Sequence, residues 1–476
     1  MSDESIRRYT DGRVPEPGIA RLFSAENKYQ RRLDVEVALA QAEAEIGLIP
    51  AESAAAIERA ARIENLDLER IAEATTMASH PLMPLIDELA RVVGPEHGEW
   101  IHWGATTQNI TQTADILVLR DAHRAIERHL ATTLRALSKL ADASAAVPMP
   151  GRTHSQHAVP VTFGFKTAVW IDELTATVDR LEHLEDRLFR VLMGGAVGTF
   201  ASFGPDGRAV ERGVADRLGL GIMPVPSRAV NDGMVEFVVV LGMLAGTAGK
   251  IGKDVYGMMQ PEFGEAFEAI PAGTVGSSTM PHKRNPQLAL DVQAMSAQLR
   301  ALTGPALESM LHDHEANGGM TALLEDVLAQ AAILAGDLLV RLGVIASGLE
   351  LDEERMRENL ALSEGLMGSE SLMLELGERI GRQSAHEVVY ELAQAAATGE
   401  ASFLDLLLGC DEVRAHLGAE RIRRLVDPSR YLGESVAIAH DMAQRARTVA
   451  DRIEFRAEAE ELARIDTVED AGLVGA

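Results

Sequence analysis

The stretch Trp170–Gly195 reads WIDELTATVDRLEHLEDRLFRVLMGG, and it decides the fold class. Its apolar positions are Trp170, Leu174, Val178, Leu181, Leu184, Leu188 and Val191, in steps of 4, 4, 3, 3, 4 and 3. That spacing predicts one apolar stripe along a helix of about seven turns running to Met193, with Gly194 and Gly195 as its stop. A helix of that length suits a bundle of long helices better than a small globule. Two more helices follow from capping signals. One opens after Ser24, carries Glu26 in its first turn and ends at Gly47 before Pro50. Another runs from about Asn109 to Ala141, with Pro148 and Pro150 marking the break after it.

Composition agrees with an all-α chain. Only 4% of the 476 residues are aromatic, and the helix formers Ala, Leu, Glu and Arg dominate. Apolar residues make up 46% and charged residues 25%, enough for a large core. No repeat or Pro-rich linker divides the chain. The units are therefore expected to share helix contacts, with soft boundaries giving 1–111, 112–363 and 364–476. The last twenty residues are acidic and expected to fray.

The net charge of −27 disfavours nucleic acid as a partner, and an anionic substrate would need a locally basic pocket. The single cysteine, Cys410, excludes an intrachain disulfide framework and a Cys-rich metal site. The first residues lack the apolar core of a signal peptide, and no uncharged apolar run reaches the length of a membrane span. A cytoplasmic protein without membrane attachment is the expectation.

Four polar, Gly- or Pro-flanked stretches interrupt the helical pattern: Ser79-His80-Pro81, Ile101–Asn109 (IHWGATTQN), Gly151–His157 (GRTHSQH) and Gly273–Pro286 (GTVGSSTMPHKRNP). The last holds paired serines, then a lysine and an asparagine between Pro281 and Pro286. Such a loop can aim hydroxyls, backbone N–H groups and a cation at one anion, although composition alone also fits a solvated connection. His154 and His157 lie three apart, the spacing of half a metal site, but no convincing carboxylate or Cys set completes one, and no metal is expected. His80 alone reads equally as a structural turn, and His102 as a residue packed beside Trp103. Met258 and Met259 read as core filler. Gly246–Lys253 fails as a P-loop, because Thr247 stands at the first glycine position and Asp254 follows the lysine.

GSSTMPHKRNP (Gly276–Pro286) resembles the signature of the fumarase/aspartase superfamily, which includes fumarase, aspartase, argininosuccinate lyase, adenylosuccinate lyase and 3-carboxy-cis,cis-muconate cycloisomerase. HWGATTQN and GRTHSQHAVPVTFG accompany it in family order, and the likeness extends over most of the chain. The resemblance implies a long central helical bundle with smaller N- and C-terminal helical domains. It also implies a homotetramer whose active sites are shared between subunits, a small anionic dicarboxylate substrate, and no cofactor or metal. By motif position, Ser277 matches the base that removes a Cβ proton and His154 the proton donor to the leaving atom. Lys283 and Asn285 match residues holding the substrate carboxylate. Thr106, Thr107 and Thr153 match binders of carboxylate oxygens, and His80, His102, Ser278 and Met280 complete the substrate-binding set.

The motifs split on the reaction. The His-Lys-Arg centre of the signature resembles the adenylosuccinate lyase and carboxymuconate cycloisomerase branch. GATTQNI leans toward the cycloisomerase, and the histidine of GRTH leans away from it. Adenylosuccinate lyases carry arginines for the nucleotide phosphate where this chain has Ala316 and Glu325. Their Gln-Arg-Asp-Arg is replaced by Arg228-Ala229-Val230-Asn231-Asp232-Gly233, although an early Arg8-Tyr9 remains. Two lost charged contacts at about 1.5–3 kcal/mol each would weaken phosphate binding strongly. The expected reaction is cleavage of a C–N bond in an N-substituted aspartate whose amine is not phosphorylated. The cycloisomerase is the alternative, then adenylosuccinate lyase, then a non-catalytic homologue.

Overall fold

The computed structural model describes residues 8–271, 273–399 and 401–473; residues 1–7 and 474–476 lie outside the described residues. Four helices come first: α1 (Ala25–Glu45), α2 (Ala51–Ala60), α3 (Leu68–Ala78) and α4 (Met83–Val93). The first opens as its sequence dictates, with Ser24 accepting the Asn27 N–H at 3.2 Å, and Gly47 follows it at φ +78°.

The bundle is built on α5 (Thr107–Ala143), α6 (Phe163–Leu188), α8 (Asp232–Met258) and α11 (Gly318–Gly348), with the shorter α7 (Gly207–Leu218), α9 (Gln287–Ala301) and α10 (Thr303–Glu308) packed around them. Thr106 caps α5 in a reciprocal pair with Asn109, which satisfies two of the orphan donors of the first turn. The stripe on α6 is wholly inside, with Trp170, Leu174, Val178, Leu181, Leu184 and Leu188 all buried. That helix stops at Leu188, short of the glycines. Arg190 and Val191 pair with Gly221 and Ile222 in a two-residue parallel ladder, so a long-range contact overrides the local helical pattern. The α8 and α11 helices are each long and apolar enough to cross a bilayer, but 67% and 61% of their most apolar windows are buried inside the protein.

The 151–157 stretch is a hairpin. β1 (Pro148–Thr153) pairs antiparallel with β2 (Gln156–Thr162), with a register shift between Pro150 and Arg152. His154 and Ser155 form its turn at φ +51° and +62°, the doubly left-handed geometry that matches strand twist.

Beyond α11 come α12 (Glu353–Ala361), α13 (Ser369–Ile380), α14 (Arg382–Ala397), α15 (Phe403–Gly409), α16 (Asp411–His416) and α17 (Ala419–Leu425). Residues between Leu372 and Val426 form their own apolar cluster. The last helix, α18 (Ser435–Leu473), leaves that cluster and lies along α5 and α6. It is fastened by Arg447–Asp142 at 2.6 Å and by Arg456 to Glu127 and Glu185 at 2.6 and 2.7 Å. Position 111 falls inside α5, and 363 falls between α12 and the Leu366–Gly368 turn.

Candidate active site

The sequence-predicted residues fall into two groups at opposite ends of the bundle. The first surrounds the N-terminus of α5. Ser79 closes α3 in the left-handed region, which swings His80 toward α5. His80 Nδ1 accepts the N–H groups of Leu82 and Met83 at 3.2 and 2.9 Å, so in the neutral ring Nε2 carries the proton. That Nε2 faces Thr107 Oγ1 at 3.5 Å. His102, also left-handed at φ +62°, binds Glu36 through Nδ1 at 2.7 Å. Burial works against the imidazolium there, but the Glu36 hydrogen bond and charge outweigh it and raise the His102 pKa. The His102 ring is thus set by a buried carboxylate from α1 and not by Trp103, whose ring lies tilted against Trp100.

The second group comprises the hairpin tip and the signature loop. Ser277 Oγ accepts the N–H groups of Thr279 and Met280 at 3.3 and 3.1 Å. Two amides aimed at one hydroxyl oxygen favour its anion, which a serine acting as a base requires. The loop is pinched where Asn285 Nδ2 donates to the Gly276 carbonyl. A Cβ on Gly276 would lie 2.2 Å from the Lys283 carbonyl oxygen, so only glycine fits. Arg284 turns outward, over the Phe267 ring and onto Glu350 at 3.0 Å, while Ser278, Met280 and Lys283 stay exposed.

Thr153 and His154 stand exposed at the tip of the hairpin. Just below the tip the hairpin is tied to the strand before the signature loop: Arg152 reaches Glu265 at 2.6 and 2.9 Å, and Ala266–Phe267 (β5) pairs with Glu350–Leu351 (β6). His154 and Ser277 therefore share the end of the bundle where α5 finishes. Thr107 starts that 37-residue helix, which spans about 55 Å at ~1.5 Å per residue. The hairpin reaches roughly 20 Å at ~3.3 Å per residue, so one chain keeps the two groups ~30 Å or more apart. Among the described residues, no hydrogen bond or ion pair joins them.

Sequence reading alone passed over Glu36, Glu265 and Asp115, and named Arg228, Asn231 and Glu325 without joining them in the fissure below Thr107. That fissure is lined by Gln108, Asp115, Arg228, Asn231, His312 and Glu325 among others. Arg228 Nη2 donates to Gln108 at 3.3 Å, and Asn231 contacts His312 at 3.3 Å. Burial, and for Glu325 also the Asp115 charge, raises the pKa of both carboxyls. The Gly264-Glu265-Ala266-Phe267-Glu268 run, two acids just ahead of the signature, was the available signal.

His157 sits across from Arg152 in the ladder, a cation that disfavours a metal beside it. His123, Glu127 and Glu185 bring three ligand atoms within 4.8 Å of one another, but Arg456 lies between both carboxylates and serves as the cation of that cluster.

An all-α bundle with a serine that accepts two backbone N–H groups, an exposed histidine and a separate threonine-capped helix end has the side chains that acid–base elimination chemistry uses. A family model described as "Lyase" matches residues 11–300, and one described as "Adenylosuccinate lyase C-terminus" matches 365–442. An N-acetyl-S-(2-succino)cysteine lyase from Enterococcus italicus is 37% identical over 87% of this chain and 90% of its own length. A 3-carboxy-cis,cis-muconate cycloisomerase from Pseudomonas aeruginosa is 37% identical over 92% and 96%. The crystal structure of a fumarate lyase from Mesorhizobium sp. BNC1 superposes with a TM-score of 0.84 at 35% identity, covering 90% of this chain and 97% of that one. The chain belongs to the fumarase/aspartase superfamily of lyases, with cycloisomerases among its relatives.

Proposed function

We propose that this enzyme catalyses reversible anti elimination from an N-substituted aspartate, giving fumarate and an amine that carries no phosphate. The observation that carries the chemistry is the convergence of two backbone N–H groups on Ser277 Oγ. Ser277 takes the Cβ proton, and the electron pair moves into the adjacent carboxylate, held as its aci-form by Lys283 and Asn285. That pair then forms the Cα–Cβ double bond as the C–N bond breaks, and the nitrogen takes a proton from His154. Thr106, Thr107 and Thr153 bind carboxylate oxygens, with His80 Nε2–H as a further donor beside Thr107.

The opposite placement of the two groups supports a homotetramer in which one subunit's α5 N-terminus meets other subunits' signature loop and hairpin. The fissure below Thr107 presents Glu325 where the nucleotide-binding relatives carry an arginine, and its Arg228 is turned onto Gln108, which supports an unphosphorylated leaving group. Arg8, the remaining arginine of the nucleotide type, is engaged with Asp291 at 3.1 Å and Gln298 at 3.0 Å.

A second reading replaces nitrogen by sulfur, favoured by the relatives from Enterococcus italicus and Dickeya dadantii named N-acetyl-S-(2-succino)cysteine lyase. The carbanion is the same, but a thiolate leaves without full protonation, its conjugate acid having a pKa near ~8.5. His154→Gln decides between them. Loss of the acid is expected to slow amine release about 10²–10⁴-fold and to slow thiolate release far less. Loss of a muconate chromophore without fumarate would instead establish the cycloisomerase.

A further inference from the structure

The signature loop leaves the fold at Glu268 and re-enters it at Gln287, the first residue of α9. Its stems are held by two side chains that are neither in the loop nor in the site. Pro286 precedes α9 without giving it a side-chain cap. The cap comes from upstream: Glu268, fully buried, accepts the N–H groups of Leu288 at 3.0 and 3.1 Å and of Ala289 at 3.1 Å. A carboxylate on the outgoing stem thus satisfies the orphan donors of the incoming one, so capping α9 and pinching the loop are a single event.

Arg13 makes the same bridge from the other side. One Nη donates to the Ala269 carbonyl at 2.7 Å and the other to Gln287 Oε1 at 2.9 Å, with the Glu268 carboxylate 3.8 Å away. The turn Asp11–Arg13 that presents it is anchored in turn. Thr10 bonds Asp291 on α9, and the buried Arg341 of α11 bonds Asp11. Neighbouring Arg8 reaches the same Asp291.

We propose that Arg13 and Glu268 are positioning residues for catalysis: together they fix the spacing of the two stems and so the placement of Ser277 Oγ against the Cβ proton. This rests on the reading of Ser277 as the base. It predicts effects on the chemical step more than on substrate affinity, because the carboxylate binders Thr106, Thr107 and Thr153 lie outside the loop.

The test uses the full-length protein and the variants Arg13→Ala, Arg13→Lys, Gln287→Ala and Glu268→Gln. Hydrogen exchange of residues 274–285 is measured without ligand, and kcat and KM on whichever substrate the wild type turns over. Arg13→Ala and Glu268→Gln should speed loop exchange at least fivefold with exchange in α5 and α6 unchanged. They should lower kcat at least tenfold with KM moving less than threefold. Arg13→Lys, reaching one stem only, and Gln287→Ala, losing one of Arg13's two contacts, should fall between. Should Glu268→Gln not fold, Arg13→Ala and Gln287→Ala carry the test. Unchanged loop exchange, or faster exchange with kcat intact, would overturn the proposal. Full turnover by Ser277→Ala would refute the reading of the loop as catalytic, an outcome the exchange measurement separates from failure of the strap.

Discussion

Arg152 and Glu265 form a bidentate pair between the hairpin that carries His154 and the strand that leads into the signature loop. The carboxylate is fully buried and also accepts from Asn359 at 2.9 Å, while the guanidinium lies 4.9 Å over the Phe263 ring. Arg152→Ala strands a buried charge and should cost about 3–5 kcal/mol in urea denaturation. Arg152→Lys keeps the charge but not the fork, and should cost ~1–2 kcal/mol. Equal stability of all three proteins would show that Glu265 is not held by this contact.

Gly276→Ala places a methyl group against the Lys283 carbonyl at 2.2 Å, which the pinched loop has no room for. The loop must open, so activity should fall on the order of 10²-fold, as for a catalytic group misplaced by about an ångström. The melting temperature should stay near wild type, because the change touches only the exposed loop.

Glu43 supplies a pH prediction. Its carboxylate is buried in α1 with neither oxygen hydrogen-bonded, and burial together with the Glu36 charge pushes its pKa up to about 9. In the unfolded chain a glutamate ionises near ~4.3. Between those values the folded state holds a proton that the unfolded state has released, so stability falls as pH rises. Below ~4.3 both states are protonated and the contribution is intact. The slope is roughly 1 kcal/mol per pH unit. Glu43→Gln should remove it, so denaturation at pH 5, 6.5 and 8 should show the variant gaining on wild type at each step. Parallel profiles would mean that Glu43 ionises normally.

Glu325→Arg tests the leaving-group pocket. Replacing one of two neighbouring carboxyls by a cation should shift preference toward an anionic leaving group by tenfold or more in kcat/KM, about 1.4 kcal/mol. An unchanged preference would remove Glu325 from substrate selection.

Helix identity was readable because it is local. Ser24 caps α1 where its sequence says so, the helix expected from about Asn109 opens two residues earlier behind Thr106, and the stripe from Trp170 to Leu188 is buried residue by residue. The stop after that stripe was misread because Arg190 and Val191 find partners at Gly221 and Ile222, which no local pattern announces. The 151–157 stretch read as a loop because Pro148, Pro150, Gly151 and Pro160 look like strand breakers, whereas the His154–Ser155 turn makes it a hairpin. Motifs named the candidate site residues but not their partners. Glu36 lies 66 positions from His102, Glu265 lies 113 from Arg152, and Ala269 lies 256 from Arg13. Such pairs exist only once the bundle has formed.

The most direct measurement is fumarate release by the purified protein and by Ser277→Ala from a panel of succinyl adducts. The panel holds N-substituted aspartates with and without phosphate, an S-succinylated cysteine, and a carboxymuconate followed by its own absorbance. The proposed function predicts fumarate from an unphosphorylated N-substituted aspartate, reduced about 10²–10⁴-fold in the variant. Rapid turnover of adenylosuccinate, or a change confined to the muconate signal, would contradict it.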